Sequence, residues 1–293
     1  MAALEALRFG ALGGECELYS LSVERPSDLA AVRAWIDAMH DRLTRFASDS
    51  ELSRLNAAAG EWIAVSPELA ALLQQSLDAY ATSFGLVHVG VLPALLAAGY
   101  TRDFTAGQTP ATGEIAIPPP LPEMLEVATG HARLAPGTAI DLGGIAKGWL
   151  ADRAVERIGP NSLANLAGDL RACGEGPEGN GWAVGFGPTT VLLKDTGAAT
   201  SGTRGRRWGE RSHHLIDPRT GLPAHSDLTD VSVIAPTGAE AEVLAKTALL
   251  SGAAGARRLL RRRGGVLQHD NGRIEVIPPP AVVRLALSER AAA

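Results

Sequence analysis

The residues best suited to chemistry stand in the run Asp141, Leu142, Gly143, Gly144, Ile145, Ala146, Lys147, Gly148. An acid, two adjacent glycines and a lysine surround the expected start of a helix, where backbone N–H groups and the dipole favour phosphate. The spacing fits neither GxGxxG nor GxxxxGK[ST], so two readings stay open: a nucleotide site, or a structural turn followed by a solvated lysine. A second cluster is Asn165, Gly168 and Asp169. A third runs from Thr200, Ser201 and Gly202 to His214, Leu215, Ile216, Asp217, Pro218, Arg219, Thr220 and Gly221. Its plain reading is a tight turn with a hydrogen-bonded histidine. The active reading makes His214 a base for an attacking hydroxyl, since an imidazole pKa of about 6.5 suits proton transfer at neutral pH.

Those groups need elements to hold them. From Ser27, the apolar residues Leu29, Val32, Trp35, Ile36, Met39, Leu43 and Phe46 recur at helical spacing and predict a helix ending near Phe46. Ser66 as N-cap and Pro67 at the first helical position predict a second helix running toward Tyr80. Residues 106–123, rich in proline and glycine, predict an irregular segment and a candidate domain boundary. A strand is expected over 132–142, then a helix over 145–158 stopped by Gly159 and Pro160. Short strands follow at 182–186, 190–194 and 231–235, helices at 239–250 and 253–263, and a hairpin at 266–268 and 273–277 turning on Asn271 and Gly272. The RRLLRRR run at 257–263 reads as a solvated helix end, where cations complement the dipole. This irregular interleaving points to an α+β fold.

The chain has 293 residues, 46% of them hydrophobic, enough to bury a full core, and a net charge of -5 that disfavours nucleic acid or anionic lipid as the main partner. Two cysteines, Cys16 and Cys173, suit neither a zinc framework nor a disulfide scaffold. The N-terminal stretch has no basic and apolar signal pattern, and no window reaches the roughly 20 apolar residues of a membrane span. A cytoplasmic protein without a membrane anchor, monomer or homodimer, is expected.

Several motifs together resemble the ApbE family of FAD:protein FMN transferases. They are SDSELSRLN at 48–56, DLGGIAKGWLAD at 141–152, AGDL at 167–170, ATSG at 199–202 and HLIDPRTGLPA at 214–224, in the family's order. ALGG at 11–14, ATSFG at 81–85 and LPALLAAGY at 92–100 resemble further family segments. The resemblance implies one ApbE-like domain over 1–293, with a mixed, largely antiparallel sheet and interleaved helices. It implies FAD as substrate, magnesium on its pyrophosphate, and transfer of FMN to a serine or threonine of an acceptor protein with release of AMP. It carries FAD contacts to Leu12, Phe46, Leu86, Val87, His88, Asp141, Lys147 and Ile216. His214 and Lys147 take catalytic roles, and Gly144, Glu242 and Lys246 fall at metal positions.

The pattern breaks in two places. His88 and Val89 replace the aspartate and proline of the family's GxFDPT, and a histidine among apolar residues also fits a packed core group. Glu242 and Lys246 replace an aspartate and a threonine on the metal helix, and four residues apart they fit an ion pair. Thr247 points about 100° away and is no substitute. Two expectations follow: Lys246 stands in for metal charge in an active enzyme, or the protein only binds or supplies FAD. Hydrolysis of FAD to FMN and AMP is a third reading.

Overall fold

The computed structural model describes residues 3–22, 28–186, 189–209 and 212–278. The chain divides into two compact units, one of Met1–Asp37, Lys147–Ser201 and Asp227–Ala293, the other of Ala38–Ala146 and Gly202–Ser226. Residues 106–123 lie inside the second.

The first unit is built on an eight-stranded sheet in the order Ala3–Ala11, Gly14–Ser22, Ser162–Leu166, Asp169–Cys173, Thr196–Gly202, Leu228–Ala235, Gly265–His269, Ile274–Ile277. Its hairpins and the pairings of the second strand with the third, the fourth with the fifth and the sixth with the seventh are antiparallel. The fold is α+β, as expected, and the hairpin predicted around Asn271 and Gly272 is present. Two hairpins turn on two residues of positive φ, Leu12 and Gly13 (55° and 73°) and Ala167 and Gly168 (54° and 96°), as a type I′ turn requires. For Leu12 that conformation costs roughly 1–2 kcal/mol, because its Cβ crowds the following carbonyl. The two tips meet, the Ala167 N–H donating to the Glu15 carbonyl at 3.1 Å. Leu12 and Asp169 therefore sit at one end of the sheet.

Leu21, Leu163, Leu170, Trp182, Phe186, Val191, Leu193 and Val266 pack into one core. Burying each large apolar side chain stabilises the unit by about 1.5–3 kcal/mol. The helix Gly238–Leu250 starts at Thr237, whose Oγ accepts from the Glu240 N–H at 3.1 Å. Asp152 adds a second cap, accepting from the N–H groups of Gly238 at 2.8 Å and Ala239 at 3.0 Å. A Cβ on Gly148, in the helix Ala146–Ile158, would lie 2.4 Å from the Gly238 carbonyl oxygen, so only glycine lets these backbones approach.

In the second unit a three-stranded sheet, ordered Ile63–Ala64, His131–Leu134, Leu125–Ala128, packs with helices Glu51–Ala57 and Pro67–Thr82. Ser66 caps the latter through the Leu69 N–H at 3.2 Å, as predicted. The first helix spans Leu29–Leu43 and ends three residues before Phe46. The Ser50 hydroxyl donates to the Thr44 carbonyl while accepting from the Ser53 N–H at 3.0 Å, so one side chain closes one helix and opens the next. Ser27, where the predicted stripe begins, lies outside the described residues. The strand expected over 132–142 stops at Leu134. Pro136 and Gly137 break it, and Ile140 pairs instead with the Asn56 carboxamide, which accepts its N–H at 2.8 Å and donates to its carbonyl at 3.0 Å. Segment 106–123 is irregular over 107–120, between a single 3-10 turn, Phe104–Ala106, and a short helix, Leu121–Met124, with proline in its first turn.

Candidate active site

Lys147 lies in the first turn of the helix Ala146–Ile158, half-buried, and its ammonium is bonded to Asp169 Oδ2 at the sheet's end. The same ammonium lies 3.6 Å from Glu242 Oε1. Lys246, one turn further along the Glu242 helix, approaches that oxygen at 3.7 Å, so the ion pair expected from the i, i+4 spacing is present. Glu242 Oε2 accepts the Gly148 N–H at 2.9 Å. A carboxylate of the chain itself thus occupies one of the helix N-terminal donors that sequence alone offers to a phosphate. Burial pushes the Glu242 carboxyl up, but Lys147, Lys246 and the Gly148 N–H outweigh it and hold it below the ordinary carboxylate range. Thr247 is buried and donates to the Val243 carbonyl at 2.7 Å.

In the second unit, Asp141 is gripped by its own chain. Its Oδ2 accepts from Arg45 Nε at 2.7 Å, its Oδ1 from the Gly143 N–H at 2.8 Å, and its own N–H donates to the Val89 carbonyl at 2.8 Å. Gly144 follows in the turn. Arg45 is only 5% exposed and donates also to the Tyr100 carbonyl at 2.7 Å. Its guanidinium lies 4.2 Å from the Phe46 ring centre and 4.7 Å from that of Tyr100. Phe46 itself stays 40% exposed, an apolar face open to a planar ligand.

Two adjacent histidines differ sharply. His213 is buried, with Nε2 3.0 Å from the Ala224 carbonyl and Nδ1 accepting the Leu215 N–H at 3.3 Å, so both ring nitrogens serve the fold. Burial pushes its pKa down. His214 is half-buried, its backbone N–H held by the Arg206 carbonyl at 3.2 Å. The expected turn follows: the Asp217 carbonyl accepts from the N–H groups of Thr220 at 3.1 Å and Gly221 at 2.9 Å. Arg219 clamps the Asp217 carboxylate at 2.6 and 2.8 Å. Ile216 is buried in a cluster with Leu95, Ala98 and Tyr100.

His88 is buried and accepts the Gly90 N–H on Nδ1 at 3.0 Å, while Nε2 lies 2.9 Å from the Pro119 carbonyl. Burial pushes its pKa down, and the ring is held in one neutral tautomer as a core group. Val87 is buried beside it and Leu86 half-buried.

The structure thus brings Lys147 together with Glu242 and Lys246, and seats Asp141 near Phe46 through Arg45. Sequence reading missed Arg45 as a partner of Asp141 and Asp169 as a partner of Lys147. The only local signal for the first was an arginine beside the aromatic Phe46.

The sequence model of the ApbE family matches residues 15–268. A Treponema pallidum (strain Nichols) protein named FAD:protein FMN transferase is 35% identical over 154 residues, covering 44% of this chain and 42% of that relative. The chain thus spans less than half the length of this relative. The FAD:protein FMN transferase of Escherichia coli (strain K12) is 27% identical over 265 residues, covering 80% of this chain and 73% of its own length. In fold, the chain is similar to the apo form of Pseudomonas stutzeri flavinyl transferase ApbE, with a TM-score of 0.80 at 22% identity over 94% of this chain and 95% of that one. This chain belongs to the ApbE family.

Proposed function

We propose that this protein transfers the FMN moiety of FAD to a serine or threonine hydroxyl of an acceptor protein and releases AMP. The acceptor oxygen bonds to the FMN phosphorus as the bond from that phosphorus to the AMP oxygen breaks. The hydroxyl proton passes to His214, and AMP leaves as an anion. Such transfers ask a protein for alignment and charge stabilisation rather than new covalent chemistry.

The observation that carries this reading is the placement of the motif histidine: HLIDPRTGLPA sets His214 half-buried just before the Asp217 turn, with its backbone N–H donating to the Arg206 carbonyl at 3.2 Å. Lys147 is the cation proposed to stabilise developing charge on the phosphates, and Phe46 an apolar surface for a ring of FAD. Asp141, Leu12, Leu86, Val87, His88 and Ile216 are proposed to shape the FAD site, His88 through packing. Both cysteines are free thiols, which suits a cytoplasmic setting. Among the described residues no helix is long and apolar enough to cross a membrane.

The residues at the expected magnesium positions do not suit that ion. Glu242 Oε1 makes no hydrogen bond and is buried, yet two ammonium groups already approach it. Magnesium requires near-octahedral oxygen ligation, and an ammonium beside the ligand oxygen repels it. No step is assigned to a metal.

The test is incubation of the protein with FAD and acceptor proteins from the same genome. An FMN-sized mass increase on an acceptor, lost by about 100-fold or more in His214→Ala with FAD binding retained, is the expected result. Free FMN without any acceptor would mean hydrolysis, and bound FAD without AMP a carrier; either would overturn the transferase reading.

A further inference from the structure

The first unit contains a buried four-charge cluster with no net charge: carboxylates Asp169 and Glu242, ammoniums Lys147 and Lys246. Asp169 and Glu242 are 1% and 2% exposed, so their charges are met inside the protein rather than by water. Lys147 bridges both carboxylates, and Lys246 lies against Glu242. The described groups that meet the Glu242 carboxylate are donors: the Lys147 ammonium and the Gly148 N–H from a neighbouring helix, and the Lys246 ammonium from its own.

We infer that Lys246 is a built-in replacement for a divalent cation, so that this protein excludes metal from the Glu242 position and handles FAD without one. The argument is one of charge. A divalent ion at Glu242 would add two positive charges where two carboxylates already face two ammoniums, within a few ångströms of both, in a medium that screens poorly. Removing Lys246 leaves three charged groups with one uncompensated negative charge, which is what a divalent cation needs. The exclusion of metal stands on the cluster alone; the part concerning FAD rests on the transferase reading above.

Manganese(II), counted by loss of its EPR signal on titration into the full chain, reads the exclusion directly. The parent protein is expected to show no saturable site that depends on Glu242. Lys246→Thr is expected to gain one equivalent bound at least about tenfold more tightly than by the parent, and Lys246→Thr combined with Glu242→Gln to lose it. Lys246→Gln, checked by circular dichroism, provides the same comparison should the threonine variant unfold. FAD affinity of the parent, followed by flavin fluorescence, is expected to be unchanged by EDTA. Stoichiometric manganese binding by the parent that disappears in Glu242→Gln overturns the inference. So does a folded Lys246 variant that gains no site, or a tenfold loss of FAD affinity with EDTA. Failure to bind FAD under any condition would sink the transferase reading, while the manganese titration would still decide the exclusion of metal.

Discussion

Lys147→Met removes the ammonium that links Asp169 and Glu242 while keeping most of the side-chain volume. Both carboxylates are almost fully buried, and Lys147 reaches both of them. Breaking a buried pair by removing one partner costs about 3–5 kcal/mol, because the remaining charge stays desolvated. At roughly 2–4 °C per kcal/mol for a protein of this size, the melting temperature should fall by about 6–20 °C. The pH dependence gives a second readout. In the parent, Glu242 is held below its ordinary pKa, so its contribution is present above the unfolded value of about 4.3 and lost as pH falls through the lower folded value. In the variant a buried carboxylate is left without its cation, and protonation removes that uncompensated charge as pH falls. The stability deficit should therefore be largest near pH 8 and shrink toward pH 5. Urea unfolding of both proteins across that range measures it. A deficit below about 1 kcal/mol at pH 8, the size of a surface pair, would refute the reasoning, as would one that grows on acidification.

Arg45→Met should destabilise the protein by about 2–4 kcal/mol, because Asp141 loses a buried charged donor and Phe46 and Tyr100 lose the guanidinium packed against both rings. In kinetics the KM for FAD should rise more than kcat falls, and Arg45→Lys should recover less than half of the lost affinity, since one ammonium cannot reproduce two directed N–H bonds. His88, pushed down by burial, contributes stability that is present above the unfolded pKa of about 6.5 and is lost as pH falls toward its folded value. Thermal melts of His88→Gln should therefore lose less stability between pH 7 and pH 5 than the parent; an unchanged slope would show that His88 does not titrate with unfolding.

Some of this was legible in the residues themselves. A cap such as Ser66 acts on an N–H group three positions away, and the Glu242 and Lys246 pair follows from helical spacing, so short-range geometry suffices to find them. The clustered motifs carried the family resemblance for the same reason, because each is a local string, while the irregular interleaving of helices and strands carried the α+β class. What Asp141, Lys147 and Glu242 actually touch was not local. Asp141 meets Arg45 across 96 residues, and Gly148 meets Glu242 across 94. Ile140, expected in a strand, found its partner in the side chain of Asn56, 84 residues away. Periodicity tells which face of an element is apolar, but not which distant element will cover it. The acid, glycines and lysine around the helix start left two readings open, a nucleotide site or a structural turn followed by a solvated lysine. Only the packed structure, by bringing Gly148 against Gly238 closely enough for Glu242 to reach the Gly148 N–H, put an internal carboxylate on that donor and paired Lys147 with two acids rather than with water.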